Sequence, residues 1–139
     1  GCTVCEEWLC FQEFAKWYYS QVGSSEGFQV DKDLLVKGNR VYSPDTCCMI
    51  PKDINALISY KYKKDNTMPT GVAKRSEKRF RACLNIFGKN KILGTFDTVE
   101  EASLAYKEAK EGYVKLVANK WRGRISDEVY NSLMEWTAD

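Results

Sequence analysis

The feature that most limits the fold is a change of hydrophobic period in the second half of the chain. Over residues 79–86, Phe80, Ala82, Leu84 and Ile86 alternate with Arg79, Arg81, Cys83 and Asn85. That is the two-residue repeat of a strand with one covered face. Gly88-Lys89-Asn90 predicts a hairpin turn, and 91–96 its partner strand. Residues 71–75, closed by Ser76-Glu77, supply a third strand. The period then lengthens to that of a helix. Thr98 and Glu101 have capping-box spacing, and Ala102, Ala105, Ala109, Tyr113 and Leu116 recur on one side. Small residues there let the helix lie close against a sheet. Three antiparallel strands backed by one helix leave one face open, and on this reading that face carries Arg75, Arg79, Arg81, Cys83, Asn85 and Lys91.

The first half reads differently. Thr3 with Glu6 fits another capping box, and Trp8, Phe11, Phe14 and Tyr18 recur at three- and four-residue steps. These predict one aromatic helix over 3–22, ended by Gly23. Its stripe is read as core in preference to a ligand-stacking surface. Short strands follow at 28–30 and 39–42, with Lys37-Gly38-Asn39 turning between them. Residues 47–50 lead into a helix over 51–59, with Pro51 in the tolerated first turn. Ser126 caps a last short helix over 127–136. The fold class is α+β. The expected organisation is a strand–strand–helix unit behind an aromatic helix (1–59), a linker (60–68), the sheet and long helix (69–120) and a helical extension (121–139).

Composition narrows the chemistry. The 139 residues contain no histidine, which removes Ser–His–Asp triads, Cys–His pairs, imidazole zinc ligands and histidine general bases. No apolar run approaches the roughly 20 residues of a membrane-spanning helix, and no secretory signal opens the sequence. Six cysteines without an export signal read as reduced thiols in a cytoplasmic compartment. Cys2 and Cys5, with Cys47 and Cys48, have the numbers for a four-thiolate zinc site, but the second pair is adjacent, so buried thiols are the preferred reading.

The net charge of +2 conceals an uneven distribution. Residues 61–94 carry ten basic and two acidic groups, whereas both flanks are net acidic. Such a block fits either a lysine-rich solvated linker or the footprint of a polyanion, and its overlap with strand favours the polyanion. Arginine forks match phosphates and guanine edges, and lysines neutralise phosphates. The candidate DNA-binding residues are Arg75, Lys78, Arg79, Arg81, Asn85, Lys89 and Lys91. In the first half, Asp31, Lys32 and Asp33 close the first strand, and Asn55 lies on the helix that follows. Carboxylates and an amide oxygen suit Mg²⁺ or Mn²⁺. The metal candidates are Asp31, Asp33 and Asn55; Lys32 would orient or deprotonate a water. The plain alternative is that the two aspartates flank a turn and Asn55 faces solvent.

Pro69-Thr70-Gly71-Val72, Arg79-Phe80-Arg81-Ala82, Leu93-Gly94-Thr95-Phe96-Asp97-Thr98 and Glu100-Glu101-Ala102-Ser103-Leu104-Ala105-Tyr106 together resemble the Apetala-type (ethylene-response-factor) DNA-binding domain. That family reads DNA with the open face of a three-stranded sheet. The resemblance implies contacts at Ala73, Arg75, Cys83, Asn85, Lys91 and Leu93, of which only Arg75 and Lys91 are basic here. Val30-Asp31-Lys32-Asp33, Tyr42-Ser43-Pro44-Asp45-Thr46-Cys47 and the stretch from Ile50 to Asn55 resemble the HNH nuclease unit. In that match the aspartate–histidine pair falls on Asp31 and Lys32, the central asparagine near Thr46 and the last polar residue on Asn55. The whole chain is thus similar to phage-encoded, homing-type HNH endonucleases that carry an Apetala-type domain. The similarity implies double-stranded DNA as partner, divalent-metal-assisted phosphodiester hydrolysis, and a place in the cytoplasm of a bacterial host. Lysine in place of the general-base histidine leaves two further readings open: a DNA-binding protein without catalysis, and a phage modulator that docks on a host protein.

Overall fold

The aromatic stretch at the N-terminus is not the single helix expected over 3–22. In the computed structural model, which describes residues 1–59, 68–86 and 88–138, Thr3–Val4 is a strand (β1). Its Thr3 N–H donates to the Arg40 carbonyl at 2.8 Å, and the Cys5 N–H to the Tyr42 carbonyl at 2.9 Å. Thr3 is therefore extended and caps nothing. A 3-10 turn over Glu6–Leu9 and an extended Cys10 precede α1, Phe11–Ser20. The break lets Trp8 fold back on the helix it would otherwise extend. Its ring lies 4.7 Å from Trp17 and 5.0 Å from Phe14, and Trp8 is buried. The helix stops at Ser20 with Gln21 as its C-cap, before the expected end at Gly23; Gly23, at φ 88°, turns the chain beyond it, and a Cβ there would overlap the Phe28 ring.

The strands that follow pair in an unexpected order. β2 (Gln29–Asp31) does not form a hairpin with β3 (Val41–Tyr42). β3 runs parallel to β1, and β2 pairs antiparallel with β4 (Cys48–Ile50) in the register Gln29 with Ile50, Val30 with Met49 and Asp31 with Cys48. The apolar run through β4 goes with this pairing: Cys47, Cys48, Met49 and Ile50 are all buried, so β4 is the strand that the core encloses, whereas Val41 of β3 is exposed. The strand–strand–helix unit is thus β2, β4 and α2 (Lys52–Ser59).

The described residues form two compact units, 1–56 with 116–136 and 57–115 with 137–139. Residues 60–67, most of the expected linker, lie outside the described residues. In the second unit, β5 (Val72–Ser76), β6 (Arg79–Ile86) and β7 (Lys89–Phe96) form an antiparallel sheet with β6 in the middle. Lys89 and Asn90, read from the sequence as turn residues, belong to β7. The sheet packs on α3 (Val99–Trp121), whose first turn is capped as expected: the Glu101 N–H donates to Thr98 Oγ1 at 3.2 Å. The covered side of β6 holds Ala82 and Leu84, both buried. The buried line on α3 is Ala102, Tyr106, Lys110 and Val114, not the alanine-rich line expected, whose Leu116 is 62% exposed. Lys110 hides the true stripe from a reading by polarity, because its methylene stem occupies an apolar position.

Ile125, Val129 and Leu133, the last two on α4 (Asp127–Met134), are buried in the first unit, and Ser126 caps α4 by accepting from the Val129 N–H at 3.2 Å. Ile50, Ile54, Val129 and Leu133 are almost fully enclosed there; each such side chain contributes roughly 1.5–3 kcal/mol of burial. Among the described residues no helix is long and apolar enough to cross a membrane.

Candidate nucleic-acid interface

Residues directly opposite one another in an antiparallel pair share a face, so the register sorts the cations of the sheet. Arg81 stands opposite Ala73 on β5 and Thr95 on β7, and Arg79 stands opposite Ser76. Both lie on the open face, alternating along β6 with Phe80, Ala82 and Leu84, which share the covered side. Cys83 stands opposite Ile92, and Asn85 opposite Asn90, and these four also belong to the open face. Arg75 sits where the β5–β6 register slips, and Lys78 lies in the turn before β6. These two therefore gather at the Arg79 end of the sheet.

Lys91 stands elsewhere. It is opposite Leu84, and Lys89 is opposite Ile86, so the register assigns both to the helix side of an edge strand, although both are exposed. This corrects the expected placement of Lys91 on the open face. The cause is a bulge: the pairing slips between Ala82 and Cys83, which leaves Leu93 unpaired and shifts the phase of everything before it. An isolated glycine in a strand, here Gly94, is the sequence signal for such a slip, and it also brings Ile92 and Asn90 to the open face. Of the family-implied contacts, Ala73, Cys83 and Asn85 lie on that face, Arg75 and Leu93 lie at bulges, and Lys91 lies behind it.

Two local interactions shape the cationic end. Arg79 forms an ion pair with Asp97, just past β7, with both side chains at least half exposed. Arg81 is half-buried, and its Nε is shielded from solvent with no hydrogen-bond partner among the described residues. Asn85 Oδ1 accepts from the Gly88 N–H at 3.0 Å, which orients its amide at the opposite end of the face.

The acidic loop of the first unit is tightly organised. Asp31 is buried, and its Oδ2 accepts from the Asp33 N–H at 3.1 Å and the Leu34 N–H at 2.7 Å. Burial raises its pKa. The two backbone bonds oppose that, and the neighbouring Asp33 carboxylate adds to the rise. Lys32 Nζ lies 3.5 Å from Asp33 Oδ2 and 6.0 Å from the centre of the Tyr42 ring. Asn39, read from the sequence as the end of a turn and the start of a strand, clamps the loop. Its amide nitrogen donates to the carbonyls of Lys32 and Val41, both at 2.7 Å. Thr46 Oγ1 shares a hydrogen bond with Ser43 Oγ at 2.7 Å within its turn.

The structure brings Asp31, Lys32 and Asp33 together. Asn55 approaches the same strand one step earlier: its amide nitrogen donates to Gln29 Oε1 at 2.6 Å, and Gln29 is two residues before Asp31. Among the described residues no three of Cys, Asp and Glu cluster closely enough to hold a metal ion. Burial raises the pKa of both Cys47 and Cys48, so these thiols stay protonated. Comparison with models of protein families, with curated proteins and with solved structures finds no match to the chain.

Proposed function

We propose that the chain binds double-stranded DNA through the open face of the β5–β6–β7 sheet. The observation that carries this reading is the placement of Arg79 and Arg81 at alternate positions of the central strand, on the side away from Ala82 and Leu84. Arg75 and Lys78 stand at the same end. A sheet enters the major groove, about 12 Å wide, and guanidinium groups meet phosphates there bidentately. The resemblance to the Apetala-type domain supports the same face. Such contacts fix position on the duplex and carry no sequence information of their own. The resemblance to phage-encoded endonucleases would put such a protein in the cytoplasm of a bacterial host.

Binding of the full chain to a fluorescein-labelled random-sequence duplex tests the proposal. Affinity is expected to fall steeply between about 50 and 200 mM salt. Affinity that stays level would remove the sheet as a DNA face.

A second reading, metal-assisted strand cleavage as in HNH endonucleases, is favoured by one observation: the Asp31 and Asp33 carboxyls lie side by side at the end of β2. Two carboxylates fit Mg²⁺ or Mn²⁺, which retain several waters. The third candidate, Asn55, donates its amide nitrogen to Gln29. Asp31 and Asp33 would hold the ion, and Lys32 would hold or move a water proton beside Asp33. A bound ion supplies polarisation of the phosphodiester. Supercoiled plasmid with Mn²⁺ tests this reading: nicking by the parent and none by Asp31→Asn is expected, and an intact plasmid contradicts it.

A further inference from the structure

The open face of the sheet has two chemically distinct ends. Arg75, Lys78, Arg79 and Arg81 occupy one; the other has no charge on it. There the register sets Cys83 beside Ile92 and Asn85 beside Asn90. Ile92 is an apolar side chain left 57% exposed, and Asn85 and Asn90 are exposed as well. From Arg81 to Asn85 is four residues, about 13 Å along the strand. With the guanidinium groups on a phosphate strand, the neutral end therefore reaches base edges in the groove.

We infer that this neutral end selects A·T-containing DNA, with Ile92 as the specificity-determining residue. The inference rests on the duplex-binding reading and adds the base composition that the duplex must have. In the major groove only thymine presents a methyl group, and an exposed aliphatic side chain on a docked sheet gains by covering it. An asparagine amide pairs with the adenine N6 and N7 positions through two hydrogen bonds, and Asn90 is the next open-face residue of β7 from Ile92. A guanine or cytosine edge offers Ile92 no methyl and leaves polar atoms against it, which is unfavourable. The cations supply affinity for any duplex and Ile92 supplies the preference.

The test uses three duplexes of equal length: alternating A·T, the same duplex with every thymine replaced by uracil, and alternating G·C. Uracil removes the methyl and keeps every hydrogen-bonding group. The full chain is expected to bind the thymine duplex best and to lose about fourfold on replacement by uracil, the effect of uncovering one methyl group. Ile92→Ala, a change at an exposed position that leaves the fold intact, is expected to bind the thymine and uracil duplexes alike, at the parent's affinity for uracil. Salt-sensitive binding that is indifferent to uracil, or that favours G·C, overturns the inference and leaves duplex binding standing. A uracil effect that persists in Ile92→Ala overturns the assignment to Ile92. Absence of binding to all three removes the duplex reading itself, and the inference with it.

Discussion

Arg79 and Asp97 form an ion pair at the cationic end of the open sheet face. Such an exposed pair stabilises the fold by little, but it sets a carboxylate where a phosphate would lie. Asp97→Asn is expected to tighten duplex binding a few-fold and to steepen its salt dependence by about one unit of logarithmic slope. The thermal midpoint should not move measurably. Unchanged binding would mean that Arg79 takes no part.

Asp31 separates a structural from a metal-binding role. Its buried carboxylate accepts two backbone N–H groups, an office that an amide oxygen also fills. Asp31→Ala leaves both donors without an acceptor and is expected to cost about 1–2 kcal/mol in denaturant unfolding. Asp31→Asn keeps the acceptor and removes the charge. Because burial raises the folded-state pKa, Asp31 favours folding most in acid, and that contribution is lost as pH rises through the raised value. The asparagine variant should therefore match the parent in acid and exceed it at neutral pH. Equal losses in both variants would show that the charge itself holds the loop.

Much of this fold was legible because its signals are local. The strand over 79–86 follows from alternation alone, Thr98 and Ser126 announced their helices, and the helix expected over 51–59 is α2, with Pro51 just before it and not in its first turn. The failures have long-range causes. Nothing between Thr3 and Tyr18 indicates that Thr3–Val4 has Val41–Tyr42 as its partner, and that pairing is what divides the expected helix. β2 chose β4 over β3 because of which strand could be buried, a property of the assembled core. In the sheet, one bulge beside Gly94 exchanged Lys91 for Ile92 on the open face. At the acidic loop, the sequence brought Asp31, Lys32 and Asp33 to one place by adjacency, but it held no sign that Asn55 would spend its amide on Gln29.

Lys110 gives a second pH-dependent test. It is buried on α3 between Tyr106 and Val114, and burial lowers its pKa. A lowered lysine pKa means that the unfolded chain binds the proton more tightly, so this group opposes folding at neutral pH. Its penalty fades as pH climbs through the lowered value towards 10.5. Lys110→Met keeps the stem and drops the charge. It is expected to raise the thermal midpoint at pH 7, with the advantage over the parent narrowing in alkali. A lower midpoint at pH 7 would show that the ammonium is stabilising where it lies.

The most direct measurement compares two double variants by the salt dependence of duplex binding. Arg79→Ala with Arg81→Ala removes the arginines that the register places on the open face, and Lys89→Ala with Lys91→Ala removes an equal charge that it places opposite Leu84 and Ile86. The arginine pair is expected to lower the logarithmic salt slope by about two and to weaken binding at least tenfold, while the lysine pair leaves the slope near that of the parent. Equal losses from both would contradict a DNA-binding face on this sheet and leave only a diffuse positive charge.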